Sequence, residues 1–360
     1  MRIGFLLGNL QGNGGIARVV SIIANELCAD NDIFIISFCP AIEPAGYTYN
    51  VKIHCVRLYD NRISMTNAIL RCHAVSKVRE YLKKKQIDIL LACGELYFPL
   101  AILATNKTHA KCFCWEHSDP AGTNDHRFQM LSRRFAVRAA DKIIVLTKAA
   151  QCYYEKELKC NKRKITQLYN PVGKKVAQSE GYDSTSRVIL SVGRLTYQKN
   201  FQLLVKIASI ILTKYPDWKW EICGEGEERK ELEKLIADNR LEGKLILRGQ
   251  VKNIYSEYKK YSFMVMTSRY EGFPMTLIEA EANRLPLIAF DIPTGPNEII
   301  EDGVNGYLIR NNNIDSMIAK IIELIENESL REKMAESGYK KANEFQIDKI
   351  LKQWRRICMQ

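Results

Sequence analysis

Short apolar runs along this chain alternate with longer stretches in which apolar residues recur at three- and four-residue spacing. Residues 3–7, 33–38, 53–58, 87–92, 111–116, 143–146 and 165–169 are rich in branched and aromatic side chains and predict strands. Between most of them, 16–29, 68–85, 128–140 and 149–158 carry the helical period. Such alternation predicts a parallel sheet covered on both faces. It stops at Asn170-Pro171, and the polar, aperiodic stretch that follows reads as a linker. A second series then begins, with strands at 188–192, 218–223, 245–248, 263–266 and 287–290 and helices at 201–213, 227–238, 275–282 and 314–325. The tail over 330–359 reads as further helix and carries Trp354. The prediction is therefore an α/β chain of two doubly wound domains, 1–172 and 187–340, joined by a linker at 173–186. A terminal helix over 341–360 is in a position to cross back to the first domain. Ligands of such sheets bind beyond the carboxyl ends of the strands, so the chemistry is expected there, facing a cleft between the domains.

Length agrees, because 360 residues are more than one ordinary core uses. No run approaches the ~18 apolar residues of a membrane-spanning helix. Charge changes the picture more. Residues 1–180 hold 26 basic and 15 acidic groups and residues 181–360 hold 27 and 26, so +11 of the net +12 lies in the first half. One-sided charge of this kind suits a polyanion or an anionic membrane face. The 11 cysteines include no C-x-x-C pair, and Cys112 and Cys114 would share one strand face, which fits buried thiols in a reducing cytosol better than a zinc site. Met1-Arg2 runs straight into an apolar strand without a signal-peptide pattern, and a cytoplasmic location is expected.

Three constellations carry candidate chemistry. The first strand leads through Gly8-Asn9-Leu10-Gln11-Gly12-Asn13-Gly14-Gly15 into a helix, where backbone N–H groups can meet an anion with no Cβ in the way. Gly12 to Ala17 satisfies a dinucleotide fingerprint, but it begins several residues past the strand, and the second strand ends in Phe38-Cys39-Pro40 where an acidic ribose ligand belongs. A nicotinamide-dependent oxidoreductase is thus an alternative with two features against it. In the second domain, Arg269-Tyr270-Glu271-Gly272-Phe273-Pro274-Met275-Thr276-Leu277-Ile278-Glu279 follows an apolar strand. Pro274 is expected at the first helical position, leaving the N–H groups of Met275, Thr276 and Leu277 as an anion site at the positive end of the helix dipole. Glu271 would lie in the loop, and Glu279, one turn in, would lean back towards it. Third, Arg194 and Lys199 flank the strand-to-helix turn at 193–200, where two cations can neutralise a departing diphosphate without a metal.

Taken together, Gly14-Gly15-Ile16-Ala17-Arg18, Glu116-His117-Ser118, Asn170-Pro171, Gly193-Arg194-Leu195 with Lys199-Asn200, Gly224-Glu225-Gly226, and Glu271 with Glu279 in an E-x7-E frame resemble the retaining nucleotide-sugar glycosyltransferases of family 4, with the GT-B fold. The order and spacing match over nearly the whole chain. The resemblance implies that Arg194 and Lys199 clamp the donor diphosphate, that Met275, Thr276 and Leu277 add backbone bonds to it, and that Gly14 and Gly15 approach it from the other domain. It further implies that Glu279 holds the nucleotide ribose, that Val251 and its turn meet the base, and that Glu271 and His117 read the sugar hydroxyls as the catalytic pair. Retention is ascribed in this family to front-face attack with the leaving phosphate as base, so the resemblance implies no enzymic nucleophile, no metal and no cofactor.

The implied partners are a nucleotide-sugar donor, with uridine diphosphate as the expected carrier, and a glycan or lipid-linked acceptor of the cell envelope. A non-catalytic glycan-binding protein is the other alternative, and the intact charged set argues against it. Asp30-Asn31-Asp32 has the D-x-D form of a metal site but falls at the amino end of the sheet and reads as surface. The basic half has its own feature: at ~100° per residue, Arg127, Arg134, Arg138 and Lys142 fall within roughly 80° of one another, with Leu131 inside the stripe and Phe128 and Phe135 beside it. A basic stripe edged by apolar residues suits an anionic membrane face as well as plain solvation. No recognition motif for nucleic acid accompanies it.

Overall fold

The computed structural model describes residues 1–9, 14–39, 47–59, 68–121, 127–174, 182–251 and 254–359. The chain divides into one unit of Met1–Pro171 with Asp348–Gln360 and another of Val172–Ile347. In the first, β1 (Arg2–Asn9), β2 (Asp32–Cys39), β3 (His54–Arg57), β4 (Ile89–Cys93), β5 (Lys111–Trp115), β6 (Lys142–Val145) and β7 (Ile165–Gln167) form one sheet in the order β3-β2-β1-β4-β5-β6-β7. Every neighbouring pair is parallel. The crossovers carry α1 (Gly15–Leu27), α2 (Ala68–Lys85), α3 (Phe98–Thr105), α4 (Arg127–Ala139) and α5 (Lys148–Lys156). α1 buries Val19, Val20, Ile23, Ala24 and Leu27, the three- and four-residue period that predicted it. α3 is buried almost throughout, so its sequence shows no amphipathic period to read.

In the second unit, β8 (Val188–Val192), β9 (Lys219–Cys223), β10 (Leu245–Gly249), β11 (Phe263–Met266), β12 (Leu287–Asp291) and β13 (Gly306–Arg310) form a sheet in the order β10-β9-β8-β11-β12-β13, again parallel throughout. Its helices are α6 (Phe201–Lys214), α7 (Arg229–Asp238), α8 (Met275–Ala282), α9 (Pro296–Ile299), α10 (Ile314–Glu326) and α11 (Glu328–Lys341). α12 (Ile347–Met359) completes the chain, and its residues from Asp348 onward belong to the first unit. There the Trp354 ring packs edge-on against Trp115, 4.7 Å between centroids, and Arg355 pairs with Asp30 at 2.7 Å.

Two boundaries differ from the sequence reading. Part of the stretch expected as linker is packed: Ser184 donates to Glu328 and Glu332, Arg331 donates to the Ser184 carbonyl, and Tyr182 donates to the Ser262 carbonyl. These bonds place 182–186 on the second unit. The same unit also keeps residues 341–347, which the reading assigned to the closing helix. No helix among the described residues is long and apolar enough to cross a membrane.

Candidate active site

In each sheet the strand order reverses beside the first strand of its unit, and loops diverge at the carboxyl edge of that point. In the second unit the loop after β8 leads to Lys199, just before the left-handed Asn200 that opens α6 (φ +57°). Glycines shape this edge. A Cβ on Gly193 would lie 2.9 Å from Cε of Lys199, so its absence clears a path for the lysine stem. A Cβ on Gly224 would lie 1.8 Å from the Gly193 carbonyl oxygen, and one on Gly226 2.2 Å from that of Leu195. The turn after β9 therefore stacks backbone to backbone on the turn after β8, tied by Gly193 N–H to Cys223 O (3.0 Å) and Leu195 N–H to Glu225 O (3.0 Å).

Lys199 Nζ meets Glu271 Oε1 at 2.5 Å, with the two side chains only 14% and 9% exposed. Glu271 is held in turn: Thr294 Oγ1 donates to its carbonyl at 2.5 Å, and Gln198 Nε2 donates to the Tyr270 carbonyl at 2.9 Å. Arg269 N–H donates to the Gln198 carbonyl at 2.8 Å, joining the loops before α6 and α8. Arg194 is exposed, and its side chain has no hydrogen bond or ion pair among the described residues, so its charge is available.

α8 starts one residue later than its sequence suggests. Pro274 is the N-cap (φ −73°, ψ 103°) rather than the first helical residue, and its carbonyl accepts the Leu277 N–H at 3.1 Å. Leu277 is thus no free donor, and the anion-accepting set contracts to Met275 and Thr276. The cause is a tight first turn, which closes an i-to-i+3 bond over the proline carbonyl. Glu279, one turn in, is 1% exposed, with the Tyr258 hydroxyl 3.4 Å from its Oε2. It is not a solvated helix residue. Val251 is partly buried after β10, in a turn that Gly249 enters at φ +71° and that is pinned by Gly224 N–H to Gly249 O at 2.8 Å.

In the first unit, Gly14 caps α1 and Gly15 begins it, and a Cβ at either would meet nothing within 4 Å. The protein's own packing does not require them to be small. The rest of the Gly-rich turn, 10–13, lies outside the described residues. At the end of β5, the His117 ring packs against Trp115 at a tilt of 47°, with centroids 4.3 Å apart. Its Nε2 is out of contact with solvent and has no partner among the described residues. Burial lowers its pKa to about 3, against the opposing pull of Glu116, so the ring is neutral.

Both neighbours of His117 are tethered to one buried cation. Arg133 of α4, 0% exposed, donates from Nε to Glu116 Oε2 at 2.8 Å and from Nη2 to Ser118 Oγ at 2.9 Å. Glu116 also accepts from Tyr154 OH at 2.8 Å and from Ser118 Oγ at 2.7 Å. Burial alone would raise the Glu116 pKa, but the Arg133 charge and these bonds outweigh it and hold the carboxyl below its usual range. Glu95 stands behind, accepting from Gln129 at 2.7 Å, with its pKa raised by burial and then by the Glu116 charge.

The family model described as glycosyltransferase family 4 matches residues 13–174, and that of glycosyl transferases group 1 matches residues 174–341. An uncharacterized glycosyltransferase of Haemophilus influenzae is 29% identical over 361 residues, covering 99% of each chain. The amylovoran biosynthesis glycosyltransferase AmsD of Erwinia amylovora is 29% identical over 369 residues, covering 98% of each. The chain belongs to glycosyltransferase family 4. Its fold is GT-B: a structure of an S. aureus TarM mutant in complex with Fondaparinux, alpha-GlcNAc-glycerol and UDP superposes with a TM-score of 0.86, at 18% identity and 99% coverage of both chains.

The glycosyltransferase carries its basic stripe on α4, where Arg127, Arg134 and Arg138 are exposed and Leu131 is 61% exposed. Lys142 does not belong with them. α4 ends at Ala139, and Lys142 opens β6 at 8% exposure, its pKa lowered by burial and then by Lys111. A helical projection carried past the helix end put it on the wrong face. Sequence reasoning also missed Arg133, Tyr154, Gln198, Tyr258 and Thr294. Only Gln198 and Arg133 sit beside a residue singled out for chemistry or charge; the rest are brought in by packing.

Proposed function

We propose that this glycosyltransferase transfers a sugar with retention, and without a metal, from a nucleotide diphosphate donor, in first place a uridine diphosphate sugar, to a glycan or lipid-linked acceptor in cell-envelope polysaccharide synthesis. The observation that carries the reading is the Lys199–Glu271 pair at the edge of α8, with Arg194 unpaired nearby in sequence and the Met275 and Thr276 N–H groups at the helix start. Two cations and a helix N-terminus match the charge that develops on a leaving diphosphate. Glu271, already bound to a cation, can accept sugar hydroxyls at the same time, and buried Glu279 can accept from a ribose. In the first unit Gly14 and Gly15 are small without an internal reason, which suits close approach by a phosphate. His117, neutral and with an idle Nε2, is assigned a sugar hydroxyl.

No enzymic nucleophile is assigned; stabilisation is electrostatic and positional. Amylovoran biosynthesis in the name of AmsD and UDP in the TarM structure support the acceptor class and the donor carrier. The exposed arginines of α4 support a cytoplasmic enzyme held peripherally against the inner membrane face. The test is a panel of nucleotide sugars screened for slow donor hydrolysis, followed by the anomeric configuration of the product. Hydrolysis of a uridine diphosphate sugar undiminished by chelator, and an α-linked transfer product from an α-linked donor once acceptor is supplied, are the expected results. Inversion, loss of activity with chelator, or calorimetric heat with NAD and none with uridine diphosphate would overturn it.

A further inference from the structure

We infer that Arg133 is a positioning residue for His117, and this inference rests on the sugar-contacting role proposed for that histidine. The geometry is unusual in what it grips. One guanidinium bonds the residue before His117 (Glu116, 2.8 Å) and the residue after it (Ser118, 2.9 Å). The loop leaving β5 therefore cannot rotate about the histidine without breaking a buried charge-assisted bond on one side or the other. α4 strengthens the grip with two further bonds, from Gln129 to the Glu95 carboxylate at 2.7 Å and from Ser132 to the Glu95 carbonyl. The Ser118 hydroxyl lies 2.7 Å from Glu116 and 3.2 Å from Glu95, so both buried carboxyls bear on the same loop.

Stability is a poor reason for such an arrangement. An ion pair with side chains 0% and 1% exposed is costly to desolvate, and apolar residues of similar volume commonly serve as well or better. What the pair supplies is a fixed place for a ring whose Nε2 has no hydrogen bond among the described residues and which leans at a tilt on Trp115. α4 thus divides its arginines: Arg134 and Arg138 face outward, while Arg133 reaches in to set the loop.

The test is a set of variants assayed for transfer at saturating donor and for uridine diphosphate affinity. Arg133→Met strands a buried carboxylate, so Glu116→Gln/Arg133→Met, which removes both charges, accompanies it to secure folding. In that folded double variant kcat is expected to fall roughly 10- to 100-fold, the scale of a misplacement of about 1 Å, with uridine diphosphate affinity within about twofold. Adding His117→Ala to it should cost nothing more, because a histidine already out of place has nothing left to lose. Arg133→Lys, able to reach only one of the two partners, should not restore kcat. Retention of kcat in the folded double variant, or losses that add to that of His117→Ala, would overturn the inference. Wild-type turnover in His117→Ala alone would instead sink the role proposed for the histidine.

Discussion

Lys199 and Glu271 each have the other as partner before any ligand arrives, which sets what their replacement does. Lys199→Ala removes a site cation and also leaves a carboxylate with 9% side-chain exposure unpaired. Transfer should be abolished and the melting temperature should drop, by a free energy of about 3–5 kcal/mol, whereas Lys199→Met/Glu271→Gln should recover the melting temperature without recovering transfer. Glu279→Ala should abolish transfer with the fold retained, read by circular dichroism; wild-type turnover would remove Glu279 from the site. On the same helix Glu281 is fully buried and bonded to Asn305, and burial raises its pKa to about 8. A carboxyl whose folded pKa is raised holds a proton that the unfolded chain has already released. Its contribution to stability is full below about pH 4.5 and is lost as pH rises through about 8. Glu281→Gln should accordingly match the wild type near pH 5 and melt higher than it near pH 9; equal melting curves across that range would refute the protonated state. His117, neutral above about pH 3, should add no inflection to the kcat profile near neutrality.

Two turns rather than two side chains make the second unit's edge, and the glycines separate their roles. Gly193→Ala pushes a methyl against the lysine stem at 2.9–3.1 Å, a flexible neighbour that can move. Donor KM should rise while the melting temperature stays within a degree or two. Gly224→Ala pushes a methyl to 1.8 Å from a backbone carbonyl, which cannot move without opening the sheet edge. Here the loss should be in stability, about 3 kcal/mol or more, seen as a lower denaturant midpoint. The chain's motifs at 193–195 and 224–226 are thus one packing device, legible in the sequence as glycines but not as partners. α8 teaches the same lesson at its start. A Gly-Phe-Pro turn before an apolar run announces a helix N-terminus, yet only the three-dimensional turn shows that the Pro274 carbonyl has taken the Leu277 N–H.

For the whole molecule the net +12 is the quantity that calls for a consequence. With Lys142 removed from the stripe, Arg127, Arg134, Arg138 and the exposed Leu131 remain on the outer face of α4. Flotation with anionic liposomes should retain the wild type at low salt, release it at high salt, and fail for Arg134→Glu/Arg138→Glu. Flotation that is indifferent to those charges would leave the stripe as a solvated face.

Alternation of strand and helix, the place of the Gly-rich turns and the E-x7-E frame were all readable along the chain, because each is local: a period, a turn, a helix start. From these followed two parallel α/β units and the expectation that the chemistry lies at their carboxyl edges. Which side of a residue meets the core was not readable in the same way. Arg133 and Arg134 are adjacent and chemically identical, yet one is sealed beneath the His117 loop and the other is open to water. Lys142 reads as a surface cation and starts a buried strand, and Glu281 on α8 is enclosed. Their fates depend on where β5, α11 and α12 come to lie, and those contacts join residues far apart in the chain, so only the folded structure decides them.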